Sequence, residues 1–201
     1  RDGTIIRWNG ASWNNNVTSP TNRDLNSVFM VSANDGWAVG RDGTIIRWNG
    51  ASWNNNVTSP TNRDLNSVSM VSATDGWAVG IKSGNQPTML RWNYTCDGTG
   101  TNSQWNNCTS VAPATNEDLN SVFMVSSTDG WAVGRKSGNQ PTMLRWNYTC
   151  NGASTNNQWN DCTESAPTAN QDLNSVFMVS STNGWAVGDS GTIIRWNGTS
   201  W

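Results

Sequence analysis

A phrase that returns at a fixed interval limits this chain more than any single residue does. GTIIRWNG begins at Gly3, Gly43 and Gly191, and an altered form, PTMLRWNY, begins at Pro87 and Pro141. DLNSV begins at Asp24, Asp64, Asp118 and Asp172, and GWAVG at Gly36, Gly76, Gly130 and Gly184. The repeats run 1–40, 41–80, 81–134 and 135–188, with a partial copy at 189–201. A period of roughly 40 to 50 residues points to propellers or helical arrays. Residues 1–28 and 41–68 are identical, surface-type positions included. The duplication is therefore recent, and the return of a residue is weak evidence that it has a role of its own.

Each repeat reads as four short strands. LNSVFMVS, Leu25 to Ser32, is apolar on both alternating faces, as an inner strand buried on both sides requires. Asn34-Asp35-Gly36 supplies a tight turn, WAVG the second strand and GTIIRWN the third. Asn9-Gly10 turns the chain into the fourth, SWNNNVTS, and Pro20, Thr21 and Asn22 lead on to the next unit. Helix signals are missing throughout. Four antiparallel strands per unit, repeated without helices, predict an all-β fold: a β-propeller of four-stranded antiparallel blades, four full repeats plus a half-blade, in one region spanning 1–201.

Through GWAVG and the hairpin GTIIRWNGASW, nearly the whole chain resembles the propeller blades of the photosystem II assembly and stability factor type. More loosely, it resembles the Asp-box repeats of bacterial neuraminidases. Those repeats close a hairpin in Gly-x-Thr-Trp or similar. Here the hairpin reads Asn9-Gly10-Ala11-Ser12-Trp13, with Asn where an Asp box has Asp. The resemblance implies the architecture; a function has to be argued from sites, because propellers host many unrelated activities.

Composition removes other readings. A net charge of −2 leaves no basic face to meet a phosphate backbone, so nucleic acid is not an expected partner. Charged residues make up 13%, against about 25% in a typical domain, and 30 Asn, 23 Ser and 22 Thr fill the difference. No run of about 18 apolar residues is present to cross a membrane, and the segment is expected to be soluble as given, any targeting signal lying outside it. The start within a repeat and without Met predicts a piece of a longer product.

The chemistry-bearing residues are few. Cys96, Cys108, Cys150 and Cys162 lie in two equivalent insertions, YTCDGTGTNSQWNNC and YTCNGASTNNQWNDC, which lengthen the third-to-fourth-strand hairpin. Three pairings are possible in principle. Local pairing is favoured because each insertion carries a complete pair and the shorter repeats carry none. Zinc is disfavoured by the absence of histidine and of Cys-x-x-Cys spacing, so no metal and no cofactor are expected. Disulfides imply an oxidising compartment, hence an extracellular or cell-surface location.

Six sequons occur, at Asn16, Asn56, Asn93, Asn107, Asn147 and Asn197, about as many as this Asn, Ser and Thr content gives by chance. Asn93 and Asn147, opening the insertions, are the best placed for glycosylation. Three tryptophans recur per repeat, in the classes of Trp8, Trp13 and Trp37. Trp37 and its copies are expected between blades; Trp13 and its copies lock the hairpin in the resembling families. Trp105 and Trp159, with Tyr94 and Tyr148, are expected to be exposed in the insertions, where aromatic faces could take a sugar.

Catalysis is not expected. Histidine is absent, the glutamates are Glu117 and Glu164 alone, and no Gly-x-Ser-x-Gly elbow appears. Arg7, Arg47, Arg91, Arg145 and Arg195 recur once per repeat and are expected in structural salt bridges with Asp partners such as Asp24. Ser69 stands where the sister strands have Phe29, Phe123 and Phe177, which predicts a loosely packed inner strand there. Residues 1–13 and 189–201 match at ten of thirteen positions, so both ends offer a third strand and a hairpin, leaving the N-terminal half-blade without inner strands. An open strand edge is a template for pairing, and its expected partner is either an upstream repeat lost from this segment or the strands from Asp172 to Gly188 of a second molecule. These features point to a secreted structural or interaction scaffold that self-associates through the half-blade, possible fibre or layer material, with a carbohydrate-binding, lectin-like module as the alternative. Non-reducing peptide mapping is expected to recover the pairs Cys96–Cys108 and Cys150–Cys162; free thiols, or links between the two insertions, are the contrary result.

Overall fold

The computed structural model describes residues 3–15, 17–150, 155–168 and 170–201. Arg1, Asp2, the Asn16 sequon, residues 151–154 and Ala169 lie outside the described residues. β1 (Arg7–Trp8) and β2 (Trp13–Asn14) pair as a half-blade. Blade 1 is β3 (Leu25–Ser32), β4 (Asp35–Gly40), β5 (Ile45–Trp48) and β6 (Trp53–Asn54). Blade 2 is β7 (Leu65–Ser72), β8 (Asp75–Ser83), β9 (Gln86–Tyr94) and β10 (Thr101–Asn107). Blade 3 is β11 (Leu119–Ser126), β12 (Asp129–Ser137), β13 (Gln140–Tyr148) and β14 (Thr155–Asp161). Blade 4 is β15 (Leu173–Ser180), β16 (Asn183–Gly188) and β17 (Ile193–Trp196).

Every sheet is antiparallel with its strands in chain order, and the inner strands pack in a row, β3 on β7, β7 on β11, β11 on β15. Short 3-10 turns link some strands, and no α-helix occurs among the described residues. The fold is thus an all-β propeller arrangement of four blades with a half-blade before them. Each sheet opens at DLNSV, so a blade straddles the boundary between two sequence repeats.

The motif DLNSV is explained almost residue by residue by contact with the adjoining blade. Its Asp takes a backbone N–H from the end of the preceding blade's second strand or the turn after it: Asp64 Oδ1 from Asp42, Asp118 Oδ1 from Lys82, Asp172 Oδ1 from Lys136, at 2.8–2.9 Å. Its Asn reaches forward, Asn26 Nδ2 donating to Leu65 O, Asn66 to Leu119 O and Asn120 to Leu173 O. Its Ser hydroxyl accepts the backbone N–H of the next blade's Val: Ser27 from Val68, Ser67 from Val122, Ser121 from Val176. Leu and Val enter the inter-blade core. Buried backbone groups need partners, and here side chains carry that pairing between sheets whose strand ladders do not touch.

GWAVG is constrained by space. A Cβ on Gly40 would run into the carbonyl of Asp24, which accepts the N–H of Arg41 at 2.9 Å, and the same holds at Gly80, Gly134 and Gly188. On Gly36 and its copies a Cβ would meet the sulfur of the inner-strand methionine. The glycines let β3 and β4 close together while Trp37 and Val39 point into the gap between blades.

Ser69 corrects one expectation. It is only 2% exposed, and its hydroxyl accepts the N–H of Met124 at 3.0 Å, an inter-blade bond that a phenylalanine cannot make. The position is a polar clamp and not a void. Ser69→Ala is expected to lower stability by about 1–3 kcal/mol, because Met124 N–H is left buried without its acceptor. Chemical denaturation checks this, and an unchanged midpoint is the contrary outcome.

Candidate functional site

Trp48 faces Trp53 across β5 and β6, and the same register brings Trp92 to Trp105 and Trp146 to Trp159. Ring centroids in each pair lie 5.8 Å apart; Trp196 and Trp201 stand at 5.7 Å. A third indole then arrives from the preceding blade. Trp37 lies 4.6 Å from Trp92 and edge-on to Trp105 at 5.4 Å. Trp77 meets Trp146 and Trp159 in the same way, and Trp131 meets Trp196 and Trp201. Offset and edge-to-face geometries of this kind suit the ring quadrupoles.

Trp105 and Trp159 are therefore buried, contrary to the expectation of exposed ligand-binding rings. The insertions lengthen the hairpin but leave this tryptophan at its ordinary position opposite the third-strand tryptophan. The signal was available: a repeat with an insertion still holds three tryptophans, so the one inside it has to be the fourth-strand copy.

Tyr94 and Tyr148 are half-buried and lie over the recurrent arginines. Arg91 Cζ stands 5.0 Å from the Tyr94 ring, 5.2 Å from Trp77 and 4.9 Å from Trp146. Arg145 repeats this with Tyr148, Trp131 and Trp196. The guanidinium is enclosed by π faces, a favourable place for a weakly hydrated cation. Each arginine also binds the aspartate of its blade's first turn: Arg47 to Asp35 at 2.8 Å, Arg91 to Asp75 and Arg145 to Asp129 at 3.2 Å. The partner is thus this turn residue; Asp24 pairs with Arg41 instead. In blade 1, which has no insertion, the Arg47 side chain is 37% exposed; under the tyrosines, Arg91 and Arg145 fall to 6% and 5%. Burial pushes the Asp129 carboxyl above its usual range, with Arg145 opposing the shift. In blade 4 the arginine is exposed, and Arg195 makes do with a neutral partner, Asn183.

The four cysteines form Cys96–Cys108 and Cys150–Cys162, with Cα atoms 5.3 Å apart in each. Each bridge ties the loop that leaves the third strand back to the residue that follows the fourth, beside the buried rings. Asn93 and Asn147, expected as glycosylation sites, are buried at left-handed backbone positions with φ near 65°. Their Nδ2 atoms donate to Thr74 O and Thr128 O, and their Oδ1 atoms accept from Ser103 and Asn157. The amide that a glycan would occupy is already used inside the bulge, so the folded chain does not present it.

Apart from Val111, the large apolar side chains left exposed among the described residues lie at the two ends of the row. On blade 4, Phe177, Val179, Trp185, Val187 and Ile193 are exposed. Trp185 is 44% exposed, whereas its copies Trp37, Trp77 and Trp131 are at 0–1%. On blade 1, Val28 is 61% exposed, whereas Val68, Val122 and Val176 are at 4%; Met30 behaves likewise. Between the half-blade and blade 1 lies an apolar groove of about 910 Å³, bordered by Ile5, Ile6, Val28, Met30, Trp48 and Trp53. Below it, Ile5 and Val17 pack against Ala38, Ile46, Trp48 and Trp53.

No family model matches the chain, and no curated protein matches it. Among solved structures it is similar to YCF48 bound to a D1 peptide, with a TM-score of 0.58 and 13% identity over 94% of this chain and 55% of that one. It is similar also to YCF48 from Cyanidioschyzon merolae, with a TM-score of 0.50 and 14% identity over 96% and 76%. A third likeness is to a NanB sialidase variant from Streptococcus pneumoniae, with a TM-score of 0.51 and 7% identity over 94% and 33%. At these identities the likeness shows the fold alone, a β-propeller, and the chain spans about half the length of the first of these structures.

The arginine clusters carry a prediction. Asp129→Asn strands a buried guanidinium and is expected to cost about 3 kcal/mol or more. Asp35→Asn, beside the more exposed Arg47, is expected to cost about 1 kcal/mol or less. Urea titration of the two variants compares them, and equal effects are the contrary result.

Proposed function

We propose that this chain is a non-catalytic, extracellular propeller scaffold that assembles head to tail with copies of itself. The observation that carries the reading is the complementarity of its uncovered ends. One end exposes the residues that each blade turns toward its successor; the other exposes those that each blade turns toward its predecessor. Contacts of this class pack three times within the chain, so a further blade, from adjoining repeats or from a second copy, meets a surface already shaped for it. A head-to-tail contact that does not close on itself propagates as a filament or layer.

Several observations support the rest of the reading. Two disulfides favour an oxidising environment. Arg47, Arg91 and Arg145 are each engaged by a turn aspartate and by rings, which leaves them poorly placed for substrate chemistry. A structural neighbour, YCF48, is seen with a bound peptide, an interaction role on the same fold. The carbohydrate-binding alternative loses support with the burial of Trp105 and Trp159.

Light scattering coupled to size exclusion, with electron microscopy, tests the reading on the 21.9 kDa chain. The expected result is concentration-dependent growth into linear assemblies. A monodisperse monomer at all concentrations overturns it, and a change in tryptophan fluorescence on adding simple sugars favours the lectin-like module instead.

A further inference from the structure

Where a repeat carries no insertion, the hairpin from the third strand to the fourth opens on Asn-Gly: Asn9-Gly10, Asn49-Gly50 and Asn197-Gly198. In all three, the asparagine Oδ1 accepts two backbone N–H groups from the residues just past the glycine. Ala51 and Ser52 donate to Asn49 at 3.0 and 2.9 Å, Ala11 and Ser12 to Asn9 at 2.9 Å each, and Thr199 and Ser200 to Asn197 at 2.9 Å each. The N–H of the glycine between them makes no hydrogen bond. Its φ is +94° to +99° in the three turns, a conformation that suits glycine, and the asparagines are exposed.

We propose that these three turns are sites of spontaneous modification, at which the asparagine closes on the following glycine nitrogen, loses ammonia and is hydrolysed to aspartate or isoaspartate. Water is the only co-reactant. Hydroxide takes the glycine amide proton, and the nitrogen forms a bond to the asparagine Cγ. The Cγ–Nδ2 bond then breaks, and Nδ2 leaves as ammonia with a proton from water. One water opens the cyclic imide: cleavage of its Cγ–N bond gives aspartate, and cleavage of its backbone C–N bond gives isoaspartate.

Each feature of the turn serves a part of this reaction. The nucleophile is the N–H without a partner, on a residue without a Cβ to obstruct its approach. The electrophile is a carbonyl whose oxygen becomes an oxyanion during the attack, and two N–H donors already point at that oxygen. Exposure supplies the hydroxide and the water. The chemistry is local to each hairpin and independent of self-assembly.

Two other turns in the chain lack these features. Gly184, after Asn183, lies within β16 and pairs with Met178 on one side and Trp196 on the other. A Cβ there would meet the Met178 sulfur, so the backbone has no room to swing toward Asn183, whose Oδ1 accepts from Arg195 Nε and not from a backbone pair. At Asp97-Gly98, Oδ1 accepts the Thr99 N–H at 3.0 Å, but the Gly98 N–H is already given to Thr95 O at 2.8 Å. The Asp97 carboxyl, held down to about 2 by its hydrogen bonds from Thr95 and Thr99, is ionised and resists attack.

The two products act differently on the blade. Aspartate keeps the backbone and places a charged oxygen on the same two donors, which strengthens the turn. Isoaspartate adds a carbon to the main chain of a loop that sets Trp48 against Trp53 at 5.8 Å, and so loosens that pair. Either product adds a negative charge to a chain whose net charge is −2. The hairpin tips thus grow acidic with age, irreversibly.

The test is to hold the folded chain at neutral and at mildly alkaline pH, digest it with trypsin and locate the conversions by fragment masses. The expected result is conversion at Asn9, Asn49 and Asn197 at a rate that rises with hydroxide, while Asn183 stays intact. Equal conversion at Asn183, or none at the three turns, overturns the proposal, and this comparison needs no variant. Peptides 8–23 and 48–63 are identical, so Asn9 and Asn49 are read together in the unaltered chain. Ala51→Pro separates them and removes one of the two donors to Asn49; the Ala51 N–H has no other partner. Conversion at Asn49 is then expected to be about tenfold slower than at Asn9 in the same molecule, a smaller effect than in a buried site because water screens the charge. An equal or faster rate at Asn49 overturns the proposal, since the two bonds then protect the amide.

Discussion

An indole that leaves one blade to cover two indoles of the next is the contact on which this propeller depends. Each such ring buries on the order of 150–250 Å², or roughly 4–6 kcal/mol of gross apolar transfer. No strand ladder joins the sheets, so cohesion between blades comes from this packing and from the Asp, Asn and Ser side chains of DLNSV. The recurrent arginine belongs to the same unit. It is held in the gap by stacking on rings from both blades and fixed at its other side by the first-turn aspartate. The sheets can therefore be short, even two residues long at β6, because the outer strand is secured by its tryptophan as much as by hydrogen bonds.

The insertions in blades 2 and 3 modify this unit without replacing it. They add a disulfide from the hairpin loop to the end of the fourth strand, an asparagine bulge at Asn93 and Asn147, and a tyrosine laid over the arginine. Their effect is to take the Arg–Asp pair from the half-exposed condition of blade 1 to near-complete burial. A buried ion pair is costly unless its partners are well placed, and here both carboxylate and rings are supplied. In the first insertion, hydrogen bonds from the Thr95 hydroxyl and from the Thr99 amide and hydroxyl hold the Asp97 carboxyl down to about 2, so the tip stays charged and locally folded.

Much of the architecture was legible in the residues. The interval between GWAVG copies, the two-faced apolar pattern of LNSVFMVS and the Asp-Gly turns lead to four-stranded blades, and the matched spacing of the cysteines leads to the two local disulfides. The misreadings share a cause: they concern which side chain faces which blade. Trp105 looked displaced into a loop because linear distance from Trp92 grew, whereas pairing across the hairpin, not distance along the chain, sets its place. Asn93 looked like an accessible sequon because nothing local shows that its amide is spent inside a bulge. Ser69 looked like a missing phenylalanine because the N–H it serves, that of Met124, belongs to the next blade.

Period, alternation, glycine placement and cysteine spacing are local or repeating properties, so the sequence by itself determined the repeat interval, the four-strand plan of each blade, the local disulfide partners and the match between residues 1–13 and 189–201. Only the tertiary structure decided which face of each blade is covered, which rings assemble as triads, which arginines are buried, and that an apolar groove lies beside Trp48 and Trp53. Those properties arise between sheets whose bonded residues are 39 to 55 apart in the chain, where every repeat carries nearly the same residues. Position in the row, rather than residue type, then decides whether a tryptophan is core, like Trp131, or open surface, like Trp185.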